Sequence, residues 1–114
     1  MTPSISLQNI IDAVVSETSV SLEVMRLRTN TVEHANARHH LTMTMVYVFG
    51  DLVTDRSRGW FLGGRNAATI LHSRGQALTL FEVDHRFRSS QMRIFHSLGL
   101  SFKWEGMTLE VWKD

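Results

Sequence analysis

No cysteine occurs among the 114 residues, so neither a disulfide framework nor a thiolate metal site can hold this chain together. Apolar runs are short: none approaches the roughly 20 residues needed to span a bilayer. The opening Met1-Thr2-Pro3-Ser4 has neither the charged nor the apolar part of a signal peptide. Net charge is scarce too. At +1, with an isoelectric point near 8.4, the global balance neither supports nor excludes a nucleic-acid partner. No glycine-rich loop ends in lysine followed by serine or threonine, so Gly63-Gly64-Arg65 reads as a turn and not as a nucleotide cradle. The expectation is a cytoplasmic protein with no membrane, nucleotide or cofactor partner.

What is present is one core's worth of apolar residues, 43% of the chain, and an uneven distribution of charge. The first 25 residues hold three acids and no lysine or arginine. Arg26, Arg28, Arg38, Arg56, Arg58, Arg65 and Arg74 then follow against only Glu33, Asp51 and Asp55, with Arg86 just beyond. A positive field concentrated in mid-chain is what a docking face for an anionic partner requires.

Helical spacing of Leu7, Ile10, Ile11, Val14 and Val15 behind Ser6 predicts a first helix to about Glu17, and Ser21 can cap a short second one carrying Leu22 and Met25. Arg26 to Thr31 reads as a basic loop. Residues Leu41 to Phe49 alternate with period two and are rich in β-branched and aromatic side chains, so pattern alone favours a strand. The same residues place Leu41, Met45, Val48 and Leu52 on one helical face. After a break at Gly50-Asp51, a short helix from about Thr54 to Leu62 is followed by Gly63-Gly64. Asn66 then caps a helix with Ile70, Leu71, Ala77, Leu78 and Phe81 on one side and Thr69, Ser73 and Gln76 on another, which together suggests a helix-turn-helix. Gly75 falls inside it and predicts a kink or close packing. A last helix is expected from Ser89 or Ser90 to Leu98, stopped by Gly99. Alternation on both sides of Glu105-Gly106 then signals a hairpin, whose Phe102, Trp104, Leu109, Val111 and Trp112 need the helices or another subunit to cover them. Trp60 is expected in the core with most methionines and Phe81, Phe87 and Phe95.

The most specific string is Phe61-Leu62-Gly63-Gly64-Arg65-Asn66-Ala67-Ala68-Thr69-Ile70-Leu71-His72-Ser73. It resembles the signature of the C-terminal origin-binding domain of the bacterial replication initiator DnaA, in which phenylalanine, two glycines and arginine precede aspartate, histidine and two threonines. Ile5-Ser6-Leu7-Gln8-Asn9-Ile10, Ala37-Arg38-His39 and Gly59 extend the resemblance over about residues 4 to 98. It implies a mainly α fold of five or six helices, Trp-repressor-like, over 1–99 with a hairpin extension over 100–114. It tips residues 41 to 49 to helix.

The same resemblance implies a non-enzymatic double-stranded DNA-binding module acting in replication or transcription control, in a bacterium or phage. The helix over 66–83 would lie in the major groove, with Asn66, Ala67, Ala68 and Thr69 facing base edges and Arg65 beside them. The basic loop near 26–31, with Arg26 and Arg28, would reach the minor groove or backbone. Arg38 and His39 would clamp a phosphate, with Arg56, His72 and Ser73 completing the interface. Asn66, Ala67 and Ala68 stand where the family has aspartate, histidine and threonine, so the initiator's sequence preference does not transfer. Asparagine can still pair bidentately with adenine, and alanine can meet a thymine methyl. The family's arginine-proline pair before the third helix is replaced by Asn36-Ala37.

Plainer readings stand beside these. Arg26, Arg28, Arg56 and Arg58 also suit a merely solvated face. His39 and His40 are adjacent and point apart on a helix, and His34 adds no glutamate-flanked pair, which argues against metal. Asp84-His85 and Glu33-His34 lack a nucleophile at a telling spacing. The principal rival is an interaction or dimerisation module that kept the helices and uses the hairpin, with Trp104 and Trp112, to bind a protein partner or itself.

Overall fold

Each helix begins at a side chain able to take over an orphaned backbone N–H, and in the computed structural model, which describes residues 5–28, 31–50, 53–106 and 108–114, those caps set the element order. Helices α1 (Leu7–Thr18), α2 (Leu22–Arg26), α3 (Val32–Phe49), α4 (Asp55–Phe61), α5 (Ala67–Val83) and α6 (His85–Ser97) open on Ser6, Ser21, Thr31, Thr54, Asn66 and Asp84. In every case the cap oxygen accepts from the backbone N–H three residues on. Strands β1 (Leu100–Glu105) and β2 (Thr108–Lys113) close the chain as one antiparallel hairpin. The fold is thus mainly α with a C-terminal two-stranded hairpin. Met1 to Ser4, Thr29, Asn30, Asp51, Leu52 and Met107 lie outside the described residues, and with them the readings made on those positions. Among the described residues no helix is long and apolar enough to cross a membrane.

The period-two pattern at 41 to 49 belongs to a helix, as the resemblance required and the local pattern did not. His40, Leu41, Thr42, Met43, Thr44 and Met45 are all buried, so this stretch of α3 is enclosed on every side and carries no polar face to mark its period. The threonines that looked like strand residues are accommodated locally: Thr44 Oγ1 donates back to the His40 carbonyl at 2.8 Å. Because this stretch is buried all round, it serves two cores. One gathers Ile10, Val14, Met25, Leu41, Met45, Leu62, Ile70 and Ile94; the other gathers Met43, Ala77, Phe81, Phe87, Phe95, Leu100 and Leu109. Each fully buried large apolar side chain is worth about 1.5–3 kcal/mol.

Hairpin register explains which aromatic residues are covered. Pairing of Phe102 with Val111 and Trp104 with Leu109 puts these four on one face, towards the helices, where Trp104 lies 5.1 Å from the Phe81 ring and Phe102 6.2 Å from Phe95. Trp112 pairs with Ser101 on the opposite face and is 49% exposed, so the helices do not cover it.

Four further expectations are corrected. Helix α6 starts at His85 and not at Ser89 or Ser90, because Asp84 accepts from Phe87 N at 3.0 Å and so caps it earlier. Gly75 is not closely packed: α5 runs continuously through it, and a Cβ there would meet nothing within 4 Å. Leu71 points to solvent at 60% exposure, since α5 buries the stripe through Ile70, Ser73, Ala77 and Phe81. Trp60 is 81% exposed, because α4 turns Arg58 and Gly59 inward instead.

Candidate nucleic-acid interface

The approach of α4 to α5 depends on glycine. A Cβ on Gly59 would stand 1.9 Å from the Arg65 carbonyl oxygen, and Arg65 N donates to the Gly59 carbonyl at 2.7 Å, so the turn folds back directly onto the helix. Gly63 and Gly64 carry φ of +78° and +77°, left-handed values that favour glycine. Asn66 then starts α5, its Oδ1 accepting from Thr69 N at 2.8 Å and from Thr69 Oγ1 at 3.0 Å. Both lone pairs of that oxygen are engaged. In this conformation Asn66 offers a base only its amide donors, so bidentate pairing with adenine would require breaking the cap.

Two arginines, Arg65 from the α4–α5 turn and Arg38 from α3, converge on the carbonyls left open where α2 ends. Arg65 donates to the carbonyls of Leu27 at 2.7 Å, Arg26 at 3.5 Å and Leu62. Arg38 reaches those of Met25 and Leu27 at 3.5 and 3.4 Å. Arg26 donates Nε to the Phe61 carbonyl at 2.9 Å and lies 4.7 Å over the Phe61 ring. The basic segment is therefore strapped to the α4–α5 turn. Burial pushes the guanidinium pKa values of Arg65 and Arg38 down, and for Arg65 the neighbouring charges of Arg38 and Arg28 push the same way; both remain protonated at neutral pH.

Between α3 and α5 these side chains border a cleft of about 380 Å³. Its walls carry eight of the twelve residues singled out from the sequence: Arg28, Arg38, His39, Arg65, Asn66, Thr69, His72 and Ser73. Ala35, Leu62, Gly64, Ile70 and Thr42 complete it, and the Thr42 hydroxyl is buried with no hydrogen-bond partner among the described residues. His39 Nδ1 sits 2.6 Å from Ser73 Oγ, so this ring is anchored across the cleft. Burial, and then the charges of Arg38, His40 and His72, push the His39 pKa down to about 4, leaving it neutral at neutral pH. His40 points the other way, as adjacent helical histidines must, with Nδ1 at 2.7 Å from Gln91 Oε1 and its ring stacked 3.9 Å from Phe87.

The remaining four residues are placed differently. Arg56 and Ala67 line a second groove, of about 490 Å³, with Ser57, Trp60, Gly64, Arg65 and Asn66. Ala68 is exposed on the first turn of α5, and Arg26 is held against Phe61. Sequence reasoning missed Arg58 as a structural residue. It is 2% exposed, donating to Asp55 Oδ1 at 2.8 Å and to the Gly50 carbonyl at 2.7 Å, while Asp55 also holds Arg74 at 2.9 Å. The i,i+3 spacing of Asp55 and Arg58 was the signal available. No family model, curated protein or solved structure matches the chain.

Proposed function

We propose that the chain is a non-enzymatic double-stranded DNA-binding module of helix-turn-helix type, akin to the initiator DnaA domain and the Trp-repressor-like folds. The observation that carries this reading is the exposed first turn of α5, Asn66 to Thr69, fixed beside an arginine cluster by a turn that Gly59 permits. Free N–H groups and the positive end of a 17-residue helix face an approaching phosphate there. Arg28 and Arg56 are exposed and border the two grooves on either side of the Gly64 to Asn66 ridge, which suits them to backbone contacts. Ala67 and Ala68 offer methyl contacts and Asn66 offers donors, a set that reads sequence weakly.

Fluorescence anisotropy on a random duplex of about 30 base pairs, and on one carrying an initiator-type box, tests this at low and moderate salt. Binding that weakens with salt is expected, with Arg28→Ala and Arg56→Ala each reducing the salt slope by about one. Arg65→Ala is a poorer probe, since Arg65 also straps the loop. Absence of binding at low salt would leave the protein-interaction reading. That rival rests on Trp112 at the hairpin, Trp104 being packed on Phe81.

A further inference from the structure

Trp60 is the most exposed of the large apolar side chains among the described residues. A tryptophan left in water forgoes one of the largest burial gains any side chain offers, and at 81% exposure the ring is open to a ligand. Its surroundings identify the chemistry. The ring lines a groove with Arg56, Ser57, Gly64, Arg65, Asn66 and Ala67, in which Ala67 is the one other apolar side chain. Gly64 N donates to the Trp60 carbonyl at 3.1 Å, and a Cβ on Gly64 would meet nothing within 4 Å, so the turn is tied to the Trp60 backbone and leaves open space beside Gly64. A protein partner would ask for a broader apolar patch. A flat π face in a groove that also holds the exposed Arg56 matches a planar base attached to a phosphate.

We propose that Trp60 is a stacking platform for an unpaired nucleobase, with Arg56 on the adjoining phosphate, so that the module favours duplex DNA carrying an extrahelical base beside its site. The inference rests on the DNA-binding reading and adds to it a substrate class, locally unstacked DNA, that a major-groove helix does not select. Ala67, on the same groove, would lie at the junction between stacked and unstacked strand.

The test compares anisotropy of a labelled perfect duplex with the same duplex bearing a single-nucleotide bulge, for wild type, Trp60→Ala and Trp60→Phe. Wild type is expected to bind the bulged duplex at least about fivefold more tightly, Trp60→Ala to lose that preference with little change on the perfect duplex, and Trp60→Phe to keep part of it. Equal wild-type affinity for the two duplexes overturns the stacking proposal while leaving the DNA-binding reading intact. Equal weakening of both duplexes by Trp60→Ala, or a change in sedimentation of the free protein, overturns it in favour of a backbone or protein contact. Failure of wild type to bind either duplex at low salt instead removes the DNA-binding reading itself. Because the ring is so exposed, far-ultraviolet circular dichroism of Trp60→Ala is expected to match wild type.

Discussion

Replacing Gly59 and Gly75 by alanine, one at a time, gives the same chemical change opposite signs. Within a helix, glycine to alanine normally stabilises by about 1 kcal/mol, because alanine has less backbone freedom to lose. At Gly75 nothing lies within 4 Å of the added methyl, so Gly75→Ala should realise that full gain. At Gly59 the methyl would fall 1.9 Å from the Arg65 carbonyl oxygen, 2.8 Å from its carbon and 3.2 Å from Ile70 Cγ1. These are atoms of a turn and a buried side chain, and they cannot simply rotate away. Relief requires the 62 to 66 turn to lift from α4, breaking the 2.7 Å bond from Arg65 N to the Gly59 carbonyl and loosening Leu62 and Ile70 in the core. Overpacking costs about 1–3 kcal/mol and the hydrogen bond about 1 more, so after the propensity gain the net loss should be roughly 1–3 kcal/mol. Urea unfolding followed by circular dichroism reads both variants as shifts in midpoint at constant slope. A Gly59→Ala protein as stable as wild type would refute the close α4–α5 approach on which the interface depends. In the proposed function the same variant should bind duplex DNA more weakly, since the first turn of α5 would be displaced.

Other consequences follow from the buried polar groups. Asp55→Asn leaves the Arg58 guanidinium without its anion in a buried site and should cost about 3 kcal/mol in the same urea assay, where a change under about 1 kcal/mol would count against the ion pair. Thr42→Val removes a buried hydroxyl with no partner and should raise stability by about 1 kcal/mol; a loss of that size would mean the hydroxyl is bonded after all. His39 has a folded pKa of about 4 against an ordinary 6.5, so the native state holds it neutral while the unfolded chain takes up a proton first. Its contribution is complete above pH 6.5 and is lost as the pH falls towards 4, and burial of His40 acts in the same direction. The urea midpoint should therefore fall between pH 6.5 and about 5, above the range where carboxylates titrate, and fall less in His39→Gln; a flat profile would argue that the ring is hydrated.

The caps at Ser6, Ser21 and Asn66 were legible because a cap depends on one side chain and its immediate backbone. Helix α3 was not legible from periodicity, since a stretch enclosed on all sides has no face to alternate, and its residues mimicked a strand. Asp84 competes for the cap of α6 with Ser89 and Ser90, and a local pattern holds nothing that decides among three good capping residues. The cleft was legible as a group of residues, eight of which the fold brings together, but not as a set of roles. Arg65 and Arg38 bind carbonyls 11 to 39 residues away, and such long-range partners leave no trace in local pattern. Trp60 was misplaced for the same reason: whether a helix turns tryptophan or arginine inward is decided by its neighbours in space.

Helix α5 is a continuous rod that begins at the proposed interface and ends in the second core, with roughly 22 Å between Asn66 and Phe81. The hairpin caps that far end. Since the chain contains no cysteine, a single thiol introduced at Glu110, on the outward strand face opposite Lys103, would be a unique attachment point. A dye or surface tether placed there leaves the α4–α5 turn unobstructed, and the rod sets a fixed distance from probe to interface, so energy transfer to a labelled ligand would report where on the molecule that ligand sits.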